Sequence, residues 1–421
     1  MNHLDEIKKE AEFCAHCVTK PCQVGCPLNN DTTGFIWLIR EGKYKEAFEL
    51  LSNTTVLPAV CGRICPHEKQ CQGMCVKRVS YRPVSIGMME AFIGDMALQN
   101  HWQFSDSSIH HNARIAVIGA GPAGLTCAAF LKRNGYSVTI FERHNYLGGL
   151  LRHGIPEFRL PKKLLDSAIQ AILDLGIEVQ YDKSIGTDFM LEDLIHQYDA
   201  VFLGFGANLS SKMNIPGEEL PGVYGGNELL ENGNYPDYTS KTVVVSGGGN
   251  VAMDVSRTIL RLGAKKVYVV YRRSEKESPA EKKELEDARK EGIEFLFQTN
   301  ILQIDGKDSV QRVELIRTEL KNVEGDSRPS PVNIEGSNYF LDCDYVVMAV
   351  GSHPEEDIVA SLSLKRDRRG RIQIDDAGHT SNEKVFAGGD LAGSPGTVAF
   401  AARAGRNAAY AIIDYLGGMK K

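Results

Sequence analysis

Arg114-Ile115-Ala116-Val117-Ile118-Gly119-Ala120-Gly121-Pro122-Ala123-Gly124, closed further on by Ser137-Val138-Thr139-Ile140-Phe141-Glu142, is the stretch that decides the fold. Its first residues read as a short buried strand running into glycines. Ala123 to Asn134 reads as a helix closed by Gly135, and a second strand ends in an acid. That is a βαβ unit. Gly119, Gly121 and Gly124 fit G-x-G-x-x-G. The first glycine makes the tight turn, the second lets a pyrophosphate approach the backbone, and the third lets helix and strand pack closely. The phosphates then meet the helix N-terminus, where free N–H groups favour negative charge. Glu142 stands where an acid can hydrogen-bond ribose hydroxyls. Gly119, Ala120, Gly121, Pro122, Ala123, Gly124 and Glu142 are therefore candidate dinucleotide contacts. A ligand-free turn is the alternative, and the strand–glycine–helix–strand–acid order speaks against it.

The same layout recurs. Lys241-Thr242-Val243-Val244-Val245-Ser246-Gly247 is a strand into glycines, a helix runs from about Val251 to Leu262, and Lys266 to Arg272 is the next strand. Asp199-Ala200-Val201-Phe202-Leu203-Gly204-Phe205-Gly206 resembles Asp344-Tyr345-Val346-Val347-Met348-Ala349-Val350-Gly351, each a buried strand ending in glycine after an aspartate. Two Rossmann-like dinucleotide-binding domains are thus expected in one α/β chain. The tail Gly388-Gly389-Asp390 with a helix from about Thr397 returns to the first, so the second is an insertion. The expected division is a helical domain at 1–111, a first nucleotide domain at 112–240 plus 341–421, and a second at 241–340. Gly389 and Asp390 decide for FAD in the first domain, because an aspartate there can hold the ribityl chain. The following helix N-terminus at Gly396, Thr397 and Val398 can face the flavin ring. A turn cap is the plainer reading of Asp390. In the second loop, Gly247-Gly248-Gly249-Asn250-Val251, the next strand ends in Tyr271-Arg272-Arg273 rather than in an acid. Paired arginines attract a 2′-phosphate bidentately, so NADPH is expected over NADH.

Eight of the ten cysteines lie between Cys14 and Cys75. One block is Cys14-x2-Cys17-x4-Cys22-x3-Cys26-Pro27; the other is Cys61-x3-Cys65-Pro66 followed by Cys71-x3-Cys75. Cysteine runs closed by Cys-Pro point to iron–sulfur clusters. Zinc prefers paired knuckles with long spacers, which only Cys14 and Cys17 match. Disulfides fit a reducing compartment poorly. Cys127 and Cys343 stand alone and read as core residues, against a catalytic dithiol. His16, His67, His110 and His111 read as surface or supporting residues. Around these blocks, Phe35 to Glu41 looks like a helix ending at Gly42, and 104–113 reads as a polar linker. The run Glu281 to Asp287 mixes both signs and reads as a solvated helix face.

The 421 residues suit two or three domains. The net charge of −6 gives no sign of nucleic-acid binding. No apolar run approaches the ~18 residues of a membrane span. The charged start, Met1 to Glu10, lacks the apolar core of a signal peptide, so a cytoplasmic location is expected.

The cysteine blocks, Gly62-Arg63-Ile64-Cys65-Pro66, Pro83-Val84-Ser85-Ile86-Gly87, and Gly148-Gly149-Leu150-Leu151 through Gly154-Ile155-Pro156-Glu157-Phe158-Arg159-Leu160 carry a family resemblance. Along nearly its whole length the chain resembles the small (beta) subunit of NADPH-dependent glutamate synthase. The same module occurs in dihydropyrimidine dehydrogenase and in the large subunit of NADH-dependent ferredoxin:NADP oxidoreductase. The resemblance implies two 4Fe–4S clusters, one held by Cys14, Cys17, Cys22 and Cys75, the other by Cys26, Cys65, Cys71 and Glu90. It leaves Cys61 out. It also implies flavin-site roles for Gly149, Leu150 and Arg159. The activity implied is electron transfer from NADPH through FAD and the clusters to a larger catalytic subunit or a carrier protein. An electron-transfer subunit for a pyrimidine- or ferredoxin-linked enzyme is the alternative; a non-catalytic assembly module is a third reading. Met1-Asn2-His3 offers no N-terminal nucleophilic cysteine, and a further barrel of ~250 residues has no room. The acceptor is therefore expected on another polypeptide, or as a small molecule or carrier protein.

Overall fold

The computed structural model describes residues 3–322 and 329–418; the remaining residues of the three expected domains lie outside that description. The chain divides into two compact units, one of Met1–Arg152, Glu157–Ala207 and Pro354–Lys421, the other of His153–Pro156 and Asn208–His353.

The first unit begins with helices α1 (His3–Phe13), α2 (Thr32–Arg40), α3 (Tyr44–Ser52), α4 (Pro58–Ile64) and α5 (Ile86–Gln99). Asp31 caps α2, its carboxylate accepting the Gly34 N–H at 3.1 Å. Helices α4 and α5 cross at near backbone contact: a Cβ on Gly62 would lie 2.3 Å from the Ala91 nitrogen, and one on Gly94 2.3 Å from that of Ala59. Close helix approach here requires both glycines.

The nucleotide folds follow. In chain order they are β1 (Arg114–Ile118), α6 (Pro122–Arg133), β2 (Ser137–Phe141), β3 (Glu178–Gln180) and β4 (Ala200–Leu203), then β5 (Val223–Gly225), β6 (Thr242–Ser246), α7 (Asn250–Arg261), β7 (Lys266–Tyr271), α8 (Lys282–Glu291) and β8 (Glu294–Phe297). An antiparallel excursion, β9 (Thr299–Asp305), β10 (Arg312–Lys321), β11 (Ser330–Asn333) and β12 (Tyr339–Asp342), precedes β13 (Tyr345–Met348). The chain then returns with β14 (Val385–Ala387) and α9 (Val398–Gly418).

The first sheet has the order β14-β4-β1-β2-β3 and the second β5-β13-β6-β7-β8, all pairings parallel. The two sheets share one plan, down to an aspartate staple. Asp199 accepts the Arg114 N–H at 2.7 Å at the start of β1, and Asp344 accepts the Thr242 N–H at 2.8 Å at the start of β6. Each unit buries its own core: Ile118, Val201, Leu203 and Val385 in the first, Val243, Val245, Ile259 and Val347 in the second.

The second unit is wider than the expected 241–340. Strand β5 lies before that span and β13 after it, yet both pair within the second sheet, because a five-stranded sheet needs partners on both sides of β6. The helical block, in turn, forms one unit with the first nucleotide fold. Arg406 of α9 donates to the carbonyls of Leu28 (2.8 Å) and Thr54 (2.9 Å), and Gln70 donates to the Thr397 hydroxyl at 3.4 Å. The Leu28 and Thr54 carbonyls lie in loops, so a half-buried guanidinium satisfies backbone acceptors that no helix or sheet could.

Candidate functional site

In the first glycine loop the conformation follows the residues. Gly119 has φ +92°, a region that penalises a side chain. A Cβ on Gly124 would fall 1.9 Å from the Gly119 carbonyl oxygen, whereas around Gly121 nothing lies within 4 Å. The loop is thus closed toward the sheet and open on the side where Gly121 heads α6, with Pro122 in its first turn. Glu142 is buried and braces the loop: its Oε2 accepts the Ala120 N–H at 2.8 Å and its Oε1 the His144 N–H at 3.0 Å. Gly149, at φ +51°, approaches the Gly121 Cα, and Leu150 is half-buried beside it.

The tail closes over this loop. Gly389 faces the Ala123 side chain, and a Cβ on Gly405 of α9 would meet the Ala123 carbonyl oxygen at 2.0 Å. Asp390 follows on a short 3-10 turn, Gly389–Ala392. Its Oδ1 is buried without a hydrogen-bond partner, and burial pushes the carboxyl up to about 6. Thr397 caps α9, its hydroxyl accepting the Phe400 N–H at 3.4 Å, and Gly396 before it has open space. An orphaned carboxylate oxygen beside an open glycine turn and a helix N-terminus fits the diphosphate and polyol of FAD. Arg159 is half-buried after the loop that carries Gly149.

The second loop shows the same logic with different braces. Gly247 has φ +143°, and Gly248 packs on the Tyr271 ring, 2.5 Å from where a Cβ would stand. The Gly248 carbonyl accepts both the Ser278 hydroxyl (2.7 Å) and the Ala280 N–H (3.1 Å). Asn250 Oδ1 accepts the Glu281 N–H at 3.1 Å, and Val251 is half-buried at the start of α7. Arg272 and Arg273 leave the C-terminal end of β7, next to the strand that feeds the loop. Arg272 is exposed; Arg273 donates its Nε to the Pro329 carbonyl at 3.0 Å. Ligands of parallel sheets bind at this edge, so the arginines stand on the correct side for a 2′-phosphate. Tyr271 and Ser278 had no sequence signal, since neither belongs to the fingerprint. Nor is the run Glu281 to Asp287 wholly solvated: Glu284 is buried against Arg257.

The cysteines form two groups. Cys14, Cys17, Cys22 and Cys75 line one small cavity together with Ile36, Val84 and Ile86. Burial, and then mutual repulsion, raises the Cys14 and Cys22 thiols. Cys26, Cys65, Cys71 and Glu90 form the second group, mostly buried. Burial and the facing Glu90 push Cys26 up to about 11; burial, Glu90 and Cys26 raise Cys71. Cys65, hydrogen-bonded to Cys61 and buried, is raised well above the usual thiol range. Glu90 itself is pushed up to about 8 by burial, with Asn30 donating to its Oε1 at 3.2 Å. Thr54 in turn donates to Asn30 at 2.6 Å. Acids crowded out of water repel one another until a metal takes their protons' place, so both donor sets fit iron–sulfur centres. Cys61 is buried beside the second set, hydrogen-bonded with Cys65 and 4.0 Å from the Thr55 hydroxyl. Asn30 and Thr54 were not singled out in the sequence, because their role depends on α5 bringing Glu90 to them across 60 residues. His67 is packed against Gly87, and burial lowers it to about 4. Cys127 and Cys343 are core residues.

Residues 113–405 match the family described as Pyridine nucleotide-disulphide oxidoreductase, and residues 2–102 match Dihydropyrimidine dehydrogenase domain II, 4Fe-4S cluster. The glutamate synthase [NADPH] small chain of Halomonas elongata is 37% identical over 425 residues, covering 97% of this chain and 90% of that one. The Escherichia coli small chain is 37% identical, covering 98% and 92%. Among solved structures, Mycobacterium tuberculosis FprA in complex with NADPH superposes with a TM-score of 0.66 at 21% identity, covering 74% of this chain and 86% of that one, which speaks for the fold. The chain therefore belongs to the pyridine nucleotide-disulphide oxidoreductases, in the group that carries an N-terminal 4Fe–4S domain and includes the glutamate synthase small chains.

Proposed function

We propose that this chain is the electron-input subunit of a glutamate synthase, taking reducing equivalents from NADPH and delivering them singly to a larger partner chain. The observation that carries the reading is the anchoring of the buried cysteine–glutamate group on α9. Gln70, between Cys65 and Cys71, donates to Thr397 at the head of that helix, seven residues past Asp390. Arg406 of the same helix holds the loop after Cys26. Redox groups in these two places share one rigid support.

Bound FAD, NADPH and two 4Fe–4S clusters supply the hydride and one-electron chemistry. The chain's own work is binding and orientation. Gly121 and the N-terminus of α6 receive the FAD diphosphate, and Asp390 accepts from its polyol. Arg272 and Arg273 hold the 2′-phosphate of NADPH. Cys14, Cys17, Cys22 and Cys75 hold one cluster; Cys26, Cys65, Cys71 and Glu90 hold the other, with Asn30 orienting the carboxylate. The reducing cytoplasm keeps such thiols available.

The test is anaerobic purification. The protein is expected to bind FAD and about eight irons, and its visible spectrum is expected to bleach with NADPH. With a glutamate synthase large chain it is expected to convert glutamine and 2-oxoglutarate to glutamate. A yellow, iron-free protein, or one that bleaches but drives no glutamate formation with that chain, sinks the reading at the cluster or at the partner respectively.

A further inference from the structure

Cys61 is the one cysteine of the two N-terminal blocks that neither donor set takes up. A free cysteine in a core is commonly filler, and Cys127 answers that description, its thiol raised by burial alone. Cys61 has different neighbours. It lies on α4, four residues before Cys65, and the Cys65 N–H donates to its carbonyl at 3.1 Å. That spacing sets the two side chains on one face of the turn. The two thiols are hydrogen-bonded, and both are buried, Cys61 at 1% exposure and Cys65 at 5%. A second polar group stands behind Cys61. Thr55 is fully buried, and its Oγ1 accepts the Leu57 N–H at 3.1 Å and lies 4.0 Å from the Cys61 sulfur. A hydroxyl has one proton and two lone pairs, so accepting from Leu57 leaves its proton available to that sulfur. Thr55 can thus donate to Cys61, and Cys61 to Cys65.

The metal decides the direction of the Cys61–Cys65 bond. Between two free thiols either sulfur can donate. A thiolate that holds iron has no proton and accepts only, so the proton between the two sulfurs is then carried by Cys61. We propose that Cys61 is a positioning residue of the Cys26, Cys65, Cys71 and Glu90 cluster, its S–H donating to the Cys65 sulfur and raising the cluster's reduction potential. Cluster potentials respond to hydrogen bonds on the sulfurs. An electron taken up adds negative charge to those sulfurs, and a donor aimed at one of them favours the reduced state. At this site burial and the facing Glu90 carboxylate both work against added negative charge. The Cys61 thiol works against both. The inference rests on the proposed electron-input function and deepens it, giving a role to the thiol that the two ligand sets leave over.

Three variants of the full-length holoprotein test it in anaerobic redox titrations read by low-temperature EPR. Cys61→Ala removes the donor, Cys61→Val removes it while filling the space, and Cys61→Ser keeps a donor. The EPR signal missing from Cys71→Ser identifies the buried cluster. The Ala and Val variants are expected to keep about eight irons. In both, the equilibrium constant for reducing the buried cluster is expected to fall on the order of tenfold, about 59 mV for one electron. The other cluster's potential is expected to stay where it is, and Cys61→Ser to titrate like wild type. Wild-type potentials in Cys61→Ala or Cys61→Val would overturn the inference. So would a shift in Cys61→Ser as large as theirs, which would trace the effect to packing rather than to a donor. A loss of about four irons from the Ala and Val variants would make Cys61 a ligand and overturn it as well. Iron-free wild type would sink the electron-input function and this inference with it, whereas unshifted variants of an iron-replete protein sink the inference alone.

Discussion

Replacing Arg272 and Arg273 by alanine separates phosphate recognition from everything else the second unit does. Arg272 is exposed at the end of β7, and only its backbone is engaged, by the Thr318 hydroxyl on its carbonyl at 2.7 Å. In water-like surroundings a unit charge pair at contact is worth about 1 kcal/mol, and a phosphate monoester carries about −1.5 to −2. Arg272 therefore contributes about 1.5 kcal/mol. Arg273 is half-buried and oriented by its Nε bond to Pro329 at 3.0 Å, so its terminal amino groups approach at little entropic cost. A charge-assisted hydrogen bond of that kind contributes about 1.5–3 kcal/mol. The double variant is expected to lose about 3 kcal/mol, roughly 150-fold in kcat/KM for NADPH. NADH lacks the phosphate, and its kcat/KM is expected to change less than about threefold on the same scale. Steady-state ferricyanide reduction with each nicotinamide, repeated across salt concentrations, gives both numbers. Salt is expected to raise the wild-type KM for NADPH and to leave the variant's flat. Equal losses with NADPH and NADH would refute the phosphate contact and make the arginines merely structural.

Other expectations concern the donor sets and the two cores. Cys75→Ser and Cys71→Ser are each expected to remove about four irons, from different clusters, with distinct low-temperature EPR signals lost. Cys61→Ala is expected to keep all the iron; a loss of half would move Cys61 into the ligand set. In flavin-free protein Asp390 is a buried carboxyl with its pKa raised to about 6 from 3.8. Such a group costs stability as pH rises above its unfolded pKa and the cost is complete above its folded one. Asp390→Asn is thus expected to stabilise the flavin-free protein by up to about 3 kcal/mol at pH 8 and not at pH 3, while weakening FAD binding. Thermal unfolding at both pH values, with flavin fluorescence for binding, checks it. Arg257 joins Glu284 and Glu291 inside the second unit. Arg257→Ala strands the buried Glu284, leaves Glu291 to Arg261 alone, and is expected to cost about 3 kcal/mol in denaturant unfolding. Although burial works to raise Glu291, Arg261 and Arg257 outweigh it and hold the group at about 2, below its ordinary 4.5. Its stabilising share is complete above the ordinary value and vanishes as pH falls toward 2, so the gap between wild type and variant is expected to narrow from pH 6 to pH 3.

The nucleotide folds were legible because their signals are local. A strand that must be buried on both faces is apolar throughout, and the turn after it needs glycine where the backbone turns left-handed or two backbones touch. Gly119 and Gly124 meet these demands within six residues. The repeat was legible for the same reason, and the aspartates at 199 and 344 that marked it cap the first strands of their sheets. Domain edges were less so. Val223–Gly225 is too short to announce itself, and only pairing with β13 makes it a strand. Glu142 stands where the pattern placed it; what the pattern did not show is that each of its carboxylate oxygens also accepts a loop N–H, from Ala120 and His144, which leaves each a further lone pair.

Residue types and spacing by themselves determined that this chain holds two glycine loops after buried strands, a pair of arginines where an acid could have stood, and a cluster of thiols, because each of these depends on neighbours within one strand, turn or helix. Spacing could not divide the thiols into two groups, make an acid of a helix their companion, or tie one group to α9. Those outcomes were decided only when α4 and α5 crossed through Gly62 and Gly94 and α9 laid Arg406 across the loop after Cys26. Burial and charge at a site are sums over all the elements that converge on it, and no single segment contains that sum.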